Sequence, residues 1–266
     1  MRTEKILKIK TLVVKIGSGL ITKNSGINTA FFRNLSKQVF LLKQRKIHLV
    51  LVSSGAIACG MHALGLHKRP ERLEHKQAVA ALGQPVLMQH FVHIFAKNKM
   101  KVAQILLTRD DFKSKKRYRN AQHAIMELLR EGIVPIVNEN DTVSVDEIQF
   151  GDNDQLSAFV ARLVKADLLV MLSDINGFYD KDPKTHPHAK RVSVVTKIDK
   201  SHVSVAGGSQ SEKSIGGMVT KLLAAKHVTQ NGIPALVAHG GSQKILSQII
   251  NHEDVGTLFL PSNKKR

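Results

Sequence analysis

"IHLVLVSSGAI", residues 47–57, decides the fold class. Leu49 to Val52 form an unbroken aliphatic run, too continuous for a strand with one wet face, and the run then gives way to Ser53-Ser54-Gly55-Ala56. Such a pattern fits a strand covered on both sides. Five further runs repeat it: "TLVVK" (11–15), "VAQILLT" (102–108), "IVPIVN" (133–138), "LLVMLS" (168–173) and "IPALVA" (233–238). Segments with helical spacing lie between them, at 29–45, 75–97, 117–131, 154–165 and 217–231. Alternation of this kind predicts an α/β protein, a three-layer α/β/α sandwich with a mainly parallel central sheet. Antiparallel hairpins are expected around 143–150 and 176–200.

The length, 266 residues, is enough for one α/β domain with a sizeable core. Aromatic residues make up only 5%, so the interior should be aliphatic. Lys8, Lys10 and Lys15 interrupt the apolar residues near the start before a signal-peptide core can form. No stretch approaches the roughly 18 to 20 uninterrupted apolar residues of a spanning helix. A single cysteine, Cys59, cannot make an internal disulfide, so the cytoplasm is the default location. The formal charge of +19 attracts polyanions without choosing among them. Small basic clusters at 113–119 and 263–266 read as solvated faces or tails, and no dedicated nucleic-acid site is expected from them.

In open α/β sheets, ligands bind beyond the carboxyl ends of the strands. Those ends read Lys15-Ile16-Gly17-Ser18-Gly19, Ser53-Ser54-Gly55-Ala56, Thr108-Arg109-Asp110, Asn138-Glu139-Asn140-Asp141, Ser173-Asp174 and His239-Gly240-Gly241. Six small or charged ends that can converge on one edge predict a cleft. The glycines let backbone N–H groups approach an anion, although neither a P-loop nor a dinucleotide fingerprint occurs. Two lysines stand out. Lys221 closes "GGMVTK" (216–221), a Gly-Gly opening into a helix, and alone it reads as an ordinary helical lysine. Lys15 ends an apolar run, where an unpaired charge is costly. Residues 136–154 hold six of the 21 acidic residues, and no Lys or Arg falls between Arg130 and Arg162. The 13 histidines show no metal-ligand spacing.

"VVKIGSG", "VSSGAI", "ILLTRDD", "NENDTV", "GDNDQLSA", "LSDINGFYDKDP" and "GGMVTK", in that order from about residue 11 to about 259, resemble the amino acid kinase family, with its carbamate kinase-like fold. Within it they are most similar to the branch that phosphorylates L-glutamate on its γ-carboxylate with ATP and Mg2+. The resemblance implies that Lys15 and Lys221 stabilise the migrating phosphoryl group and that Asp154 holds both lysines. Ser54, Gly55, Ala56, Asp141 and Asn153 would bind glutamate. Lys15, Ser173, Asp174 and the segment Ile215, Gly216, Gly217, Met218, Val219, Thr220 and Lys221 would bind ATP, and no protein side chain is assigned as a metal ligand. The glutamate part would span about 1–165 and the ATP part about 166–260 of a single domain, without the C-terminal PUA domain of many relatives. Inhibition by L-proline and a homodimer or homotetramer are further implications. Ser214-Ile215 and Gly17-Ser18-Gly19 depart from the family's usual loops. The alternatives are a kinase of another small acidic substrate, of the N-acetylglutamate type, and a non-catalytic basic relative that binds nucleic acid.

Overall fold

The computed structural model describes residues 9–23, 26–144, 153–183, 185–207 and 217–261. The strands in chain order are β1 (Thr11–Ile16), β2 (Thr22–Lys23), β3 (Gly26–Ile27), β4 (His48–Ser53), β5 (Val102–Leu107), β6 (Val134–Glu139), β7 (Leu168–Ser173), β8 (Val194–Val195), β9 (Ala235–His239) and β10 (Thr257–Phe259). The helices are α1 (Ser18–Ile21), α2 (Thr29–Gln44), α3 (Ala56–Ala63), α4 (Leu73–Ala96), α5 (Arg109–Lys113), α6 (Lys115–Arg130), α7 (Asn153–Leu163), α8 (Lys200–Gly207), α9 (Met218–Thr229) and α10 (Ile245–Ile250).

All six apolar runs become strands of one sheet, ordered β5-β6-β4-β1-β7-β9-β10-β8, and the first six in that order are mutually parallel. Among the described residues the hairpin expected at 176–200 is present as an antiparallel bridge of Tyr179 with Arg191, flanked by the Val192 N–H donating to the Phe178 carbonyl at 2.8 Å and the Asp180 N–H to the Lys190 carbonyl at 3.0 Å. Strand β8 instead pairs in parallel with β10, and β10 lies antiparallel to β9. Most of the hairpin expected at 143–150 falls outside the described residues.

Helices cover both faces. Leu12, Val14 and Ile16 of β1 face a layer containing Phe31, Phe32 and Leu35 of α2, Leu87 and Phe91 of α4, and Leu246 of α10. Val13 faces the other way, toward Leu156 and Val160 of α7, Leu222 and Val228 of α9, and Ile125 of α6. Side chains alternate along a strand, so Lys15 shares the face of Val13 and points at α7 and α9. That parity places the lysine between the two helices that carry its partners.

Local chemistry starts the helices. Asn28 accepts a hydrogen bond from the Phe31 N–H to open α2, and the Ser114 hydroxyl accepts from the Arg117 N–H to open α6. Helix α4 has 24 residues and an apolar composition of the kind that crosses a bilayer. Here it buries Phe91, Ile94 and Phe95 in the core, and Gln84 joins a hydrogen-bonded network described below.

Helices α3 and α4 touch through two glycines. A Cβ on Gly83 would stand 1.8 Å from the Ala56 carbonyl oxygen, and one on Gly60 would stand 1.9 Å from that of Val79. Gly→Ala in a helix interior ordinarily gains up to ~1 kcal/mol. At Gly83 the sign should invert, with Gly83→Ala losing about 2 kcal/mol in urea denaturation, because a packed backbone must move aside. A neutral or raised midpoint would contradict this close approach.

Candidate active site

Strand β1 sits between β4 and β7. From β1 the chain steps to β4 on one side and later returns to β7 and β9 on the other. The crevice beyond the carboxyl ends of β1 and β7 is therefore the point where sheet order reverses, the favoured place for a ligand in this architecture. Loops there are stitched together: the Gly17 N–H donates to the Leu172 carbonyl at 3.0 Å, and the Gly240 N–H to that of Ser173 at 2.7 Å. A Cβ on Gly240 would meet Leu20 Cδ1 at 2.3 Å, so a larger residue here would push the Leu20 side chain aside.

Asp154 lies in the first turn of α7, where the helix dipole favours a carboxylate. Lys15 Nζ stands 2.6 Å from its Oδ1, and Lys221 Nζ 3.1 Å from its Oδ2. The Thr220 hydroxyl donates to the same Oδ2 at 2.9 Å. Asp154 is 0% exposed and each lysine 2%. Two ammonium groups meet one carboxylate at the buried end of the cleft, an arrangement that suits an anion. The three residues come from β1, α7 and α9, and only the assembled sheet brings them together.

The crevice opens into a cleft of about 810 Å³ whose lining includes Lys15, Ser54, Asp141, Asn153, Asp174 and Lys221. On one side, Gly55 takes a φ of +105° and turns the chain from β4 into α3, so that Gly55, Ala56 and Ile57 border the cleft at that helix's start. Asn153 Nδ2 faces three acceptors: the Ser53 carbonyl at 2.7 Å, Asn138 Oδ1 at 2.8 Å and Ser54 Oγ at 3.1 Å. That leaves its own carbonyl oxygen to meet a ligand's donor. Burial, with Glu139 second, pushes the Asp141 carboxyl up to about 6, against the opposing pull of Arg69. On the other side, Ser173 donates to Asp174 Oδ1 at 2.8 Å, and Gly217 caps α9.

The structure thus gathers Lys15, Ser54, Gly55, Ala56, Asp141, Asn153, Asp154, Ser173, Asp174 and Lys221 at one edge, with Thr220 bonded to Asp154. Met218, the first residue of α9, packs half-buried against the core. Gly217 and Val219 stand in the turn that opens α9, half-buried, while Ile215 and Gly216 lie outside the described residues. Sequence reasoning missed Arg69, Glu71 and Lys76, which border the cleft from the connection between α3 and α4 and the start of α4. It placed Asn138 and Glu139 only within a polar stretch, 138–154, read as recognising an amino acid's ammonium group, and gave neither an individual role. The stretch "HKRPER" (67–72) gave only a weak signal, a proline among charges, in a chain with 40 basic residues.

A family model described as the amino acid kinase family matches residues 10–239. The chain is 46% identical over 265 residues to the glutamate 5-kinase of Geobacter sp. strain M21, covering 99% of this chain and 71% of that protein. It is 45% identical over 264 residues to the glutamate 5-kinase of Clostridium acetobutylicum, covering 99% of both. Among solved structures it is similar to UMP kinase from Bacillus anthracis, with a TM-score of 0.63, 15% identity and coverage of 95% and 96% of the two chains. It also matches isopentenyl phosphate kinase from T. acidophilum, with a TM-score of 0.64, 17% identity and coverage of 94% and 99%. At those identities the two structures speak for the fold alone.

Proposed function

The chain belongs to the amino acid kinase family, and from that membership we infer that it transfers the γ-phosphoryl group of ATP to the γ-carboxylate of L-glutamate. The products are ADP and L-glutamyl 5-phosphate, the acyl phosphate that begins proline synthesis. The observation that carries the chemistry is the buried Lys15–Asp154–Lys221 cluster, which sets two ammonium groups on one carboxylate at the cleft.

Glutamate arrives with an ionised γ-carboxylate, so no side chain has to remove a proton. One carboxylate oxygen forms a bond to the γ-phosphorus as the bond to the bridging oxygen of ADP breaks. Catalysis is then alignment plus neutralisation of charge on the transferring oxygens. Lys15 and Lys221 supply that neutralisation, and Asp154 keeps both ammonium groups pointed at the crevice. Magnesium brought in with ATP would supply further positive charge to its phosphates. The carboxylates on hand suit that arrangement, since Asp154 is engaged by two lysines and Asp174 remains at the nucleotide side.

Glutamate recognition falls to the part spanning about 1–165. Asp141 and the Asn153 carbonyl meet the α-ammonium group, while Ser54 and the start of α3 at Gly55 and Ala56 meet a carboxylate. ATP is bound by the part spanning about 166–260, through Ser173, Asp174 and the segment from Ile215 to Lys221. An ammonium site lined by Asp141 favours free glutamate over N-acetylglutamate, whose nitrogen carries no charge. The test is ADP release with Mg-ATP across glutamate, N-acetylglutamate, carbamate and UMP. Comparable turnover of any of the other three would overturn the substrate assignment. The reading extends to cytoplasmic enzyme, to inhibition by proline, which shares the ammonium and α-carboxylate, and to a homo-oligomer. A glutamate titration in proline and the solution mass test the last two.

The raised Asp141 carboxyl gives a pH prediction. Below about pH 6 it is protonated in the empty site and cannot pair with an ammonium group. Glutamate KM should therefore rise as pH falls through 6, by about tenfold per unit once well below, while ATP KM changes little. Asp141→Asn should weaken glutamate at all pH values and flatten the profile. A wild-type glutamate KM that stays level from pH 7.5 to 5 would refute this role.

A further inference from the structure

Behind the acceptor side of the cleft runs a line of four side-chain amides. Asn153 Nδ2 donates to Asn138 Oδ1, Asn138 Nδ2 donates to Gln84 Oε1, and Gln84 Nε2 donates to Gln104 Oε1, each at 2.8 Å. The line passes from α7 across β6 to α4 and ends on β5, the edge strand, where Gln104 is exposed. Backbone groups fix its sense at the inner end. The Ser53 carbonyl can only accept and takes an Asn153 proton at 2.7 Å, and the Glu139 N–H can only donate and gives its proton to Asn138 Oδ1 at 2.9 Å. Turning over either asparagine would set donor against donor or acceptor against acceptor.

Gln84 is 9% exposed and sits between Gly83, which touches Ala56, and Pro85. It supplies the acceptor for Asn138 Nδ2. Its side chain is a polar group whose burial is explained by holding its neighbour.

We propose that Gln84 is a positioning residue for the acceptor substrate. It does not reach the substrate. It holds Asn138, and through Asn138 it keeps the Asn153 carbonyl aimed at the substrate's ammonium group. The nucleotide side is built on β7 and α9, across the lysine pair, so the influence of Gln84 is confined to one substrate. The proposal rests on the reading that the acceptor carries an ammonium group, as glutamate does.

The test compares Gln84→Met, which keeps the volume and removes the acceptor, with Gln84→Glu, which keeps it. In Gln84→Glu the exposed Gln104 amide is free to turn and donate to the new carboxylate, so the line stays satisfied. Glutamate KM should rise about five- to tenfold in Gln84→Met, with ATP KM and kcat within twofold of wild type, because a buried donor has lost its partner. Gln84→Glu should return most of that loss, and Gln104→Leu should raise glutamate KM only two- to threefold. Equal rises in both KM values, or an unchanged glutamate KM with a lowered melting temperature, would overturn the proposal by making Gln84 a merely structural residue. KM is compared on whichever acceptor the wild-type chain turns over. A wild type silent with glutamate but active with another amine-bearing acid would therefore sink the substrate reading alone.

Discussion

Asp154→Asn should yield a protein that is both inactive and markedly less stable. The amide cannot offset two ammonium groups that stand 2.6 Å and 3.1 Å from the carboxylate oxygens in a buried site. One lysine must then give up its proton or swing out, and breaking a buried charge group in this way costs about 3 to 5 kcal/mol. With Lys15 or Lys221 displaced, the phosphoryl group loses its preset positive partners, and kcat should fall by about 10³-fold or more. Urea denaturation alongside ADP release measures both effects. A wild-type midpoint would show that Asp154 does not hold the lysines together.

Lys221→Met should separate the two properties. Removing one cation leaves the contact between Lys15 and Asp154 in place, so the loss of stability expected of the aspartate variant does not arise. Stability should be unchanged or higher, although turnover falls by about 10²- to 10³-fold because half the charge facing the migrating phosphoryl is gone. Glutamate KM should stay near wild type, since Asp141, Asn153 and Ser54 lie on the other side of the cleft. The contrast is the diagnostic: the aspartate variant loses activity and stability, the lysine variant activity alone. A Lys221→Met protein with normal kcat would remove Lys221 from the reaction.

Much of the fold was legible in the sequence for one physical reason. A strand buried on both faces has to be almost continuously aliphatic, and Leu49 to Val52 or Leu168 to Leu172 cannot sit comfortably anywhere else. Small polar residues after each run marked the ligand edge for the same reason, since the apolar demand stops where the sheet stops. Which strand lies beside which was not legible, because period and composition say nothing about lateral order. The meeting of Lys15 with Lys221 is a consequence of that order, so its expectation came from resemblance to a family. At 176–200 the antiparallel turn around Tyr179 and Arg191 was legible, but the end of that region was not, because β8 finds its partner in β10, from much later in the chain. Gln84 was invisible in a different way: a glutamine in a long helix usually faces water, and only the position of Asn138 shows that this one does not.

The sheet order has a bearing on how the molecule is made. Residues 15, 154 and 221 belong to three elements separated by most of the chain, so loop closure has to be completed over long distances before the charge cluster exists. On the ribosome, β1 and β4 emerge early and can associate, but the lysine buried at β1 meets Asp154 only when α7 arrives and Lys221 only when α9 does. Catalytic competence is thus acquired only after α9 has been made and docked, and recovery of enzymatic turnover reports a later stage of folding than helix content does.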